Sequence, residues 1–485
     1  MNSNDDYALL TDLYQITMAQ GYWACGKLEE EGCFHIFFRE PPFKGGYAIA
    51  SGMDHIAEVV ENFSFSDKSI EYLASIDAPG GGKLFNPEFL EYLRTLELTV
   101  DIDAVREGTV VFPNDPIVRV TGPIVQCQLL ETQLLNCVNF ETLAATKAAR
   151  VCLAAETPVA EFGLRRAQGE SGGMRASRAC IVGGCASTSN VLAGREYGLP
   201  VSGTHAHAWV MAFDDELEAF RAYAKEFPTN CVLLVDTYNV LRHGVPDAIK
   251  VFDEVLKPMG KRPKGIRIDS GDIAYLSKKA RQMLDAAGYP DCTVCASNSL
   301  DEYIVRDLIL QGARVDSFGI GENMITAKSD PVFGGVYKLA AVKEDDGSYT
   351  PKMKLSESVE KMTIPCLKKV WRIYDEDGKA QADLITMADE VVDTKNGITL
   401  FDPIETWKEC TYVNSTARCI STPIYENGKR VYTSPNLADI RKFCKAQVGT
   451  LWDEVKRFEN PHRYYVDLSR NLWDTRSELL KKLSK

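Results

Sequence analysis

From residue 159 onward, short apolar, β-branched runs recur along the chain. Each is followed by polar residues and then by an amphipathic stretch. The runs are Val159–Phe162, Ala179–Val182, Pro200–Ser202, Cys231–Val235, Gly265–Ile268, Cys292–Cys295 and Val315–Phe318. Their starts lie ~20 to 35 residues apart, the length of a strand-plus-helix unit. The stretches between them keep helical spacing. After Asp214, a candidate N-cap, come Leu217, Phe220, Ala224 and Phe227, with Pro228 as a stop. After Asp272 come Ile273, Leu276, Ala280 and Met283, ended by Gly288 and Pro290. Repeated units with buried strands predict a parallel sheet, either a barrel or doubly wound. Six or seven units in ~165 residues favour an α/β barrel that is irregular or incomplete.

The flanks read differently. Residues 30–125 mix helix with strand pairs, for which Gly108–Phe112 and Ile117–Val120 around the turn Pro113–Pro116 are the example. Residues 124–155 predict one long helix with Leu130, Leu134, Val138 and Leu143 on its apolar face. Past Tyr337, strands and turns give way to helix after about Ser434. The expected organisation is an N-terminal α+β domain over residues 1–125 and an α/β barrel over 126–335. A C-terminal segment, 336–485, then folds back on both.

Composition narrows the function. The 485 residues are 45% hydrophobic and 25% charged, which excludes a disordered or fibrous chain. With 55 basic against 68 acidic residues the net charge is -13. Neither nucleic acid nor an anionic membrane is an expected partner of such a field. The start, Met1–Asp6, carries acid where a targeting leader carries base, and no apolar run reaches the ~18 residues of a membrane helix. The fourteen cysteines are scattered through apolar stretches, as reduced thiols in a cytoplasmic protein would be. Cys292 and Cys295 form a CxxC without a second pair, so they read as packed strand residues.

The strand ends carry the chemistry, because ligands of parallel α/β folds sit at the C-terminal ends of strands. Standing there are Gly163–Arg166, Ser187–Asn190, Gly203–His207, Asp236–Tyr238, Arg267–Asp272, Ser297-Asn298 and Gly319–Glu322. Arginines recognise phosphate or carboxylate in bidentate fashion. Gly and Ser turns offer free N–H groups to phosphate. Aspartates hold Mg²⁺ or ribose hydroxyls. The set suits a phosphorylated sugar and a second, anionic partner. Each member has a plainer reading. Arg165 and Arg166 could be surface ion pairs, Asp269 or Asp272 a helix cap, and His205 or His207 a structural histidine. Their shared place at consecutive strand ends argues against all of these at once.

The ordered stretches Leu10–Gln15, Phe37–Glu40, Glu161–Arg166, Gly203–His207, Ile268–Asp272 and Gly334–Lys338 make the chain resemble the nicotinate phosphoribosyltransferase family over nearly its whole length. The resemblance implies an irregular α/β barrel with an N-terminal domain. It implies an enzyme of NAD synthesis that joins nicotinate to 5-phosphoribosyl 1-diphosphate, coupled to ATP hydrolysis through a phosphohistidine. It also implies Mg²⁺ and a homodimer with shared active sites. Residue by residue, His207 matches the phosphorylated histidine and, with Asp269 and Arg267, the catalytic group. Thr204, Arg267, Arg165 and Ser189 match the nicotinate pocket, and Tyr14 the aromatic that reaches in from the neighbouring subunit. Asp236 and Asp269 would hold Mg²⁺ or ribose hydroxyls. Gly319 and Gly321 would offer N–H groups to the 5-phosphate, with Ser297, Asn298 and Glu322 alongside. Arg39 and Lys338 would meet the diphosphate.

Two positions depart from the family pattern. Glu322 stands where relatives often carry a small hydroxyl residue, so its carboxylate would repel the phosphate. Cys366 stands where glycine is expected. Three rival readings remain: a nicotinamide-specific cousin, which would carry aspartate near Ser189; a metal-dependent barrel hydrolase using Asp269, Asp272 and His207; and a nucleotide sensor without turnover.

Overall fold

The computed structural model describes residues 4–356 and 362–485. The chain forms two compact units, residues 144–331 and residues 1–143 together with 332–485.

Residues 144–331 hold six strands: β1 (Val159–Glu161), β2 (Ser187–Thr188), β3 (Val232–Leu234), β4 (Gly265–Ile268), β5 (Thr293–Asn298) and β6 (Ser317–Ile320). They form one sheet in the order β2-β1-β6-β5-β4-β3, with every ladder parallel. Strands β2 and β3 are its edges, and among the described residues no ladder joins them. The barrel is therefore incomplete, an open parallel sheet. Apolar burial fixes it. Leu233, Val235, Ile266, Ile268 and Val294 are fully buried in one cluster with Val210, Phe220 and Phe252. Each such side chain contributes roughly 1.5–3 kcal/mol on leaving water.

Besides Val245–Val251 between β3 and β4, the connecting helices include α1 (Gly169–Val182), α2 (Val191–Tyr197), α3 (His207–Met211), α4 (Glu216–Glu226), α5 (Ile273–Ala286), α6 (Glu302–Leu310) and α7 (Glu322–Ile325). Asp272 caps α5 by accepting the Tyr275 N–H, as its sequence position indicates. The cap of α4 is Asp215, one residue beyond the expected Asp214. Two expected strands are corrected. Ala179–Val182 is the last turn of α1, a helix whose residues from Ala176 to Val182 are all buried. A helix end without a polar face looks like a buried strand. Pro200–Ser202 contributes only the isolated bridge from Val201 to Thr188. Cys292 is buried and Cys295 half-buried; both are free thiols at β5.

In residues 1–143 and 332–485 the C-terminal segment folds onto the N-terminal one through main-chain pairing. Gly335–Lys343 runs antiparallel to Glu31–Phe38, and Ser421–Glu426 to Asp101–Val105, in one seven-stranded sheet. The expected hairpin around residues 113–116 does not form. Val110–Val111 pairs with Ala48–Ile49, whereas Val118–Pro123 joins the large sheet. Asp115 accepts the Phe112 N–H and turns the chain from one sheet to the other. The long helix exists as Ile124–Leu129 and Glu131–Ala155, with Leu130 between them still in the right-handed helical region. Cys366 takes a φ of +76°, so the backbone keeps the glycine-type conformation although the residue carries a Cβ. Buried Lys368 holds that loop, its Nζ donating to the Ile364 and Cys366 carbonyls at 2.7 and 3.1 Å.

Candidate active site

The chain leaves each parallel strand at the same end, and six loops meet there. Buried Glu161, the last residue of β1, accepts from Ser177 Oγ at 3.0 Å, Thr188 Oγ1 at 2.6 Å and the Gly163 N–H. This pins the turn after β1 and directs Phe162 across β6. There Gly319 makes the room, since a Cβ at Gly319 would overlap the Phe162 ring, and one at Gly321 would stand 3.0 Å from the Phe162 carbonyl oxygen. Gly319 lies inside β6, paired with Ser297 on one side and Ala160 on the other. Its contribution is space for the ring. Gly321 follows the strand and leads into α7.

The result is a cavity of about 200 Å³ lined by Phe162, Arg165 and Arg166 after β1, Arg267 on β4 and Asp269 just past it, Ser297 and Asn298 on β5 and Ser299 just past it, and Gly319 on β6 with Gly321 and Glu322 beyond its end. Three arginines against two carboxylates make it locally cationic in an acidic chain.

Arg267 organises the wall. Its Nε donates to Ser297 Oγ at 2.8 Å, Nη1 to Thr204 Oγ1 at 3.1 Å and Nη2 to Asp269 Oδ1 at 3.0 Å. Its guanidinium carbon lies 5.8 Å from the Phe162 ring centroid, within cation–π range. A guanidinium has five N–H groups, so two remain after these three bonds. Ser297 Oγ in turn donates to Asp269. Asp236 Oδ2 accepts the Asp269 N–H at 3.1 Å and Ser270 Oγ at 2.6 Å. The other Asp236 oxygen, Oδ1, is buried and has no hydrogen-bond partner among the described residues.

The two histidines part company. His207 opens α3, partly exposed, with Nδ1 3.2 Å from Thr237 Oγ1 and Nε2 3.9 Å from Asp269 Oδ2. His205 is buried, and its Nε2 accepts the Leu234 N–H at 3.2 Å. Burial, together with Arg267 and His207, pushes its pKa down to about 4. It is therefore a neutral anchor that fills an open donor of edge strand β3. The two side chains diverge where α3 begins, at His207. Ser189 stands after β2, its N–H on the Glu161 carbonyl at 2.9 Å. It is not among the residues lining the cavity.

Glu322 at the rim is ionised. Lys328 foremost, then Ser299 and Arg166, hold its carboxyl below the usual range. Asn298, last in β5, carries a φ of +129°, backbone strain of the kind that gathers at binding sites. Tyr14, Arg39 and Lys338 belong to the other unit. Tyr14 is exposed on the helix Leu13–Ala24, beside Leu10, Leu13 and Met18, whereas Ile16 of the same helix is buried. The Arg39 guanidinium lies 5.7 Å from the Phe37 ring centroid, with a buried Nε that has no hydrogen-bond partner among the described residues. Lys338 pairs in register with His35.

Phe162, Ser299 and Lys328 were not singled out as site residues by sequence, and Thr237 stood inside the strand-end stretch Asp236–Tyr238 without a role of its own. For Phe162 the signal was present, since it is the first residue past β1 between Glu161 and Gly163. Nothing in the local pattern marks Ser299 or Lys328.

Three family models cover the chain in order: the nicotinate phosphoribosyltransferase N-terminal domain over residues 9–139, the nicotinate phosphoribosyltransferase family over 158–362, and its C-terminal domain over 367–476. A nicotinate phosphoribosyltransferase of Bacillus subtilis is 44% identical over 98% of this chain and 95% of its own. The Homo sapiens protein of that name is 34% identical over 96% of this chain and 95% of its own. The crystal structure of human nicotinic acid phosphoribosyltransferase superposes with a TM-score of 0.83 at 31% identity, covering 98% of this chain and all of that one. By sequence along nearly all its length and by fold, this chain belongs to the nicotinate phosphoribosyltransferase family.

Proposed function

We propose that the chain transfers the phosphoribosyl group of 5-phosphoribosyl 1-diphosphate to nicotinate, releasing diphosphate and forming nicotinate mononucleotide, a step of NAD synthesis. The reading is carried by Arg267 over Phe162, with two N–H groups uncommitted. A flat aromatic acid stacked on Phe162 can present its carboxylate to that guanidinium, with Arg165 on the same wall. Nicotinamide has no charge to pair there.

The pyridine nitrogen attacks C1 of the ribose as diphosphate departs, through a cation-like sugar transition state. The cavity holds nucleophile and C1 in line, and the carboxylates of Asp236 and Asp269 oppose the positive charge that develops. The same two residues suit Mg²⁺. Asp236 Oδ1 is a buried oxygen in want of a partner, and Mg²⁺ is commonly held by one or two carboxylates plus substrate phosphates. Among the described residues no group of three His, Cys, Asp or Glu side chains could hold an ion alone, so substrate oxygens would complete the shell. When bound, the ion neutralises the leaving diphosphate.

ATP hydrolysis is coupled through phosphorylation of His207, whose partly exposed ring can take the phosphoryl group on Nε2 while Thr237 orients Nδ1. The working form is a homodimer. The exposed stripe of Leu10, Leu13, Tyr14 and Met18 seats on a second copy and brings Tyr14 to the partner's base site. A reducing cytoplasm, which keeps scattered cysteines as thiols, is the compartment that suits the fourteen cysteines.

The test is incubation with γ-labelled ATP. An acid-labile, base-stable label is expected on the wild type and lost in His207→Ala, along with ATP stimulation. Label that persists in the variant removes His207 from this role.

A further inference from the structure

We infer that Glu322 is a resident anion at the phosphate end of the cavity: it holds Lys328 and Arg166 until the substrate's 5-phosphate displaces it, and so lowers the affinity for that phosphate. The inference rests on the phosphoribosyl-transfer reading. Glu322 Oε1 accepts from Lys328 Nζ at 3.0 Å and Ser299 Oγ at 3.4 Å, and Oε2 lies 4.0 Å from Arg166 Nε. The backbone that carries this side chain is fixed, because the Glu322 carbonyl accepts the Thr326 N–H and Oγ1 at 3.1 and 2.7 Å.

Lys328 is also anchored. Its neighbour Ser329 receives a hydrogen bond from buried Lys147 Nζ at 3.0 Å, and Lys147 is itself held by Glu302 at 2.6 Å. The lysine thus springs from a pinned loop, and its tip is spent on Glu322.

The charges around the cavity divide accordingly. Arg267 is engaged with Asp269, while Arg166 and Lys328 both meet Glu322. The latter two side chains are 62% and 64% exposed, so they can turn to a new anion without leaving a buried partner behind. A phosphate dianion in this corner finds Arg165 on the same wall and competes with the ionised carboxylate for Arg166 and Lys328. Its affinity is then the difference between new pairs and old ones. A neutral side chain at 322 would leave the cations free and the corner more positive.

The experiment is calorimetric titration with ribose 5-phosphate, without ATP, on wild type, E322Q, K328M and the double variant. Glu322→Gln is expected to tighten binding about fivefold at low salt, with a smaller gain at high salt. Lys328→Met is expected to change wild-type affinity by less than about twofold, because the ion pair it removes offsets the contact it loses. In the E322Q background the same change is expected to weaken binding about fivefold. Unchanged or weaker binding by E322Q overturns the inference, and so do additive effects in the double variant. A wild type without saturable ribose 5-phosphate binding overturns the phosphoribosyl-transfer reading, and this inference with it.

Discussion

Replacing His205 by Gln tests the anchor under the site. The wild-type imidazole accepts the Leu234 N–H at Nε2, which only the neutral ring can do. Burial sets its pKa at about 4, against 6.5 for an unperturbed histidine. Above pH 6.5 folded and unfolded chains are both neutral here, and the group makes stability independent of pH. Between 6.5 and 4 the unfolded chain binds a proton that the folded chain refuses, so stability falls as pH falls. At 1.36 kcal/mol per pH unit the loss across that window is about 3 kcal/mol. Gln can place Oε1 where Nε2 was and accepts at any pH. Urea unfolding of both proteins at several values from pH 7 to 4 should show their stability difference drifting by about 3 kcal/mol against the wild type. A difference that stays flat would refute a neutral, buried His205.

Two further outcomes follow from the same geometry. Gly319→Ala should destabilise the fold by about 1–3 kcal/mol and raise the KM for nicotinate, because the new methyl group competes with the Phe162 ring; thermal unfolding and steady-state kinetics check both. Tyr14→Ala and His207→Ala chains, each nearly inactive, should together regain up to about a quarter of wild-type activity after subunit exchange. Exchange without recovery would show that Tyr14 serves its own chain.

Much of the catalytic unit was legible because its strands are short, β-branched and regularly spaced. Gly265–Ile268 is a strand with the bounds read from sequence, and Asp272 is the cap it was taken for. What failed did so for physical reasons. Ala179–Val182 is helix, since burial on all sides erases the 3.6-residue pattern. Val110–Val111 and Val118–Pro123 are not partners, since long-range pairing decides which sheet a strand joins. At the site, sequence order brought Arg267, Asp269, Ser297, Gly319 and Glu322 together correctly, because successive strand ends are neighbours in a parallel sheet. Phe162 as the floor of the cavity, Thr237 on His207 and Lys328 on Glu322 depend on side-chain direction, which spacing alone does not give. The departure at Cys366 resolves into a left-handed residue held by Lys368 beneath the loop.

The central claim is tested most directly by offering the purified protein nicotinate, nicotinamide and quinolinate in parallel, each with 5-phosphoribosyl 1-diphosphate and Mg²⁺, with and without ATP. Mononucleotide formation from nicotinate alone, faster when ATP is present, is the predicted result. Equal turnover of nicotinamide would contradict the Arg267 and Phe162 pocket, and no mononucleotide from any of the three would contradict phosphoribosyl transfer itself.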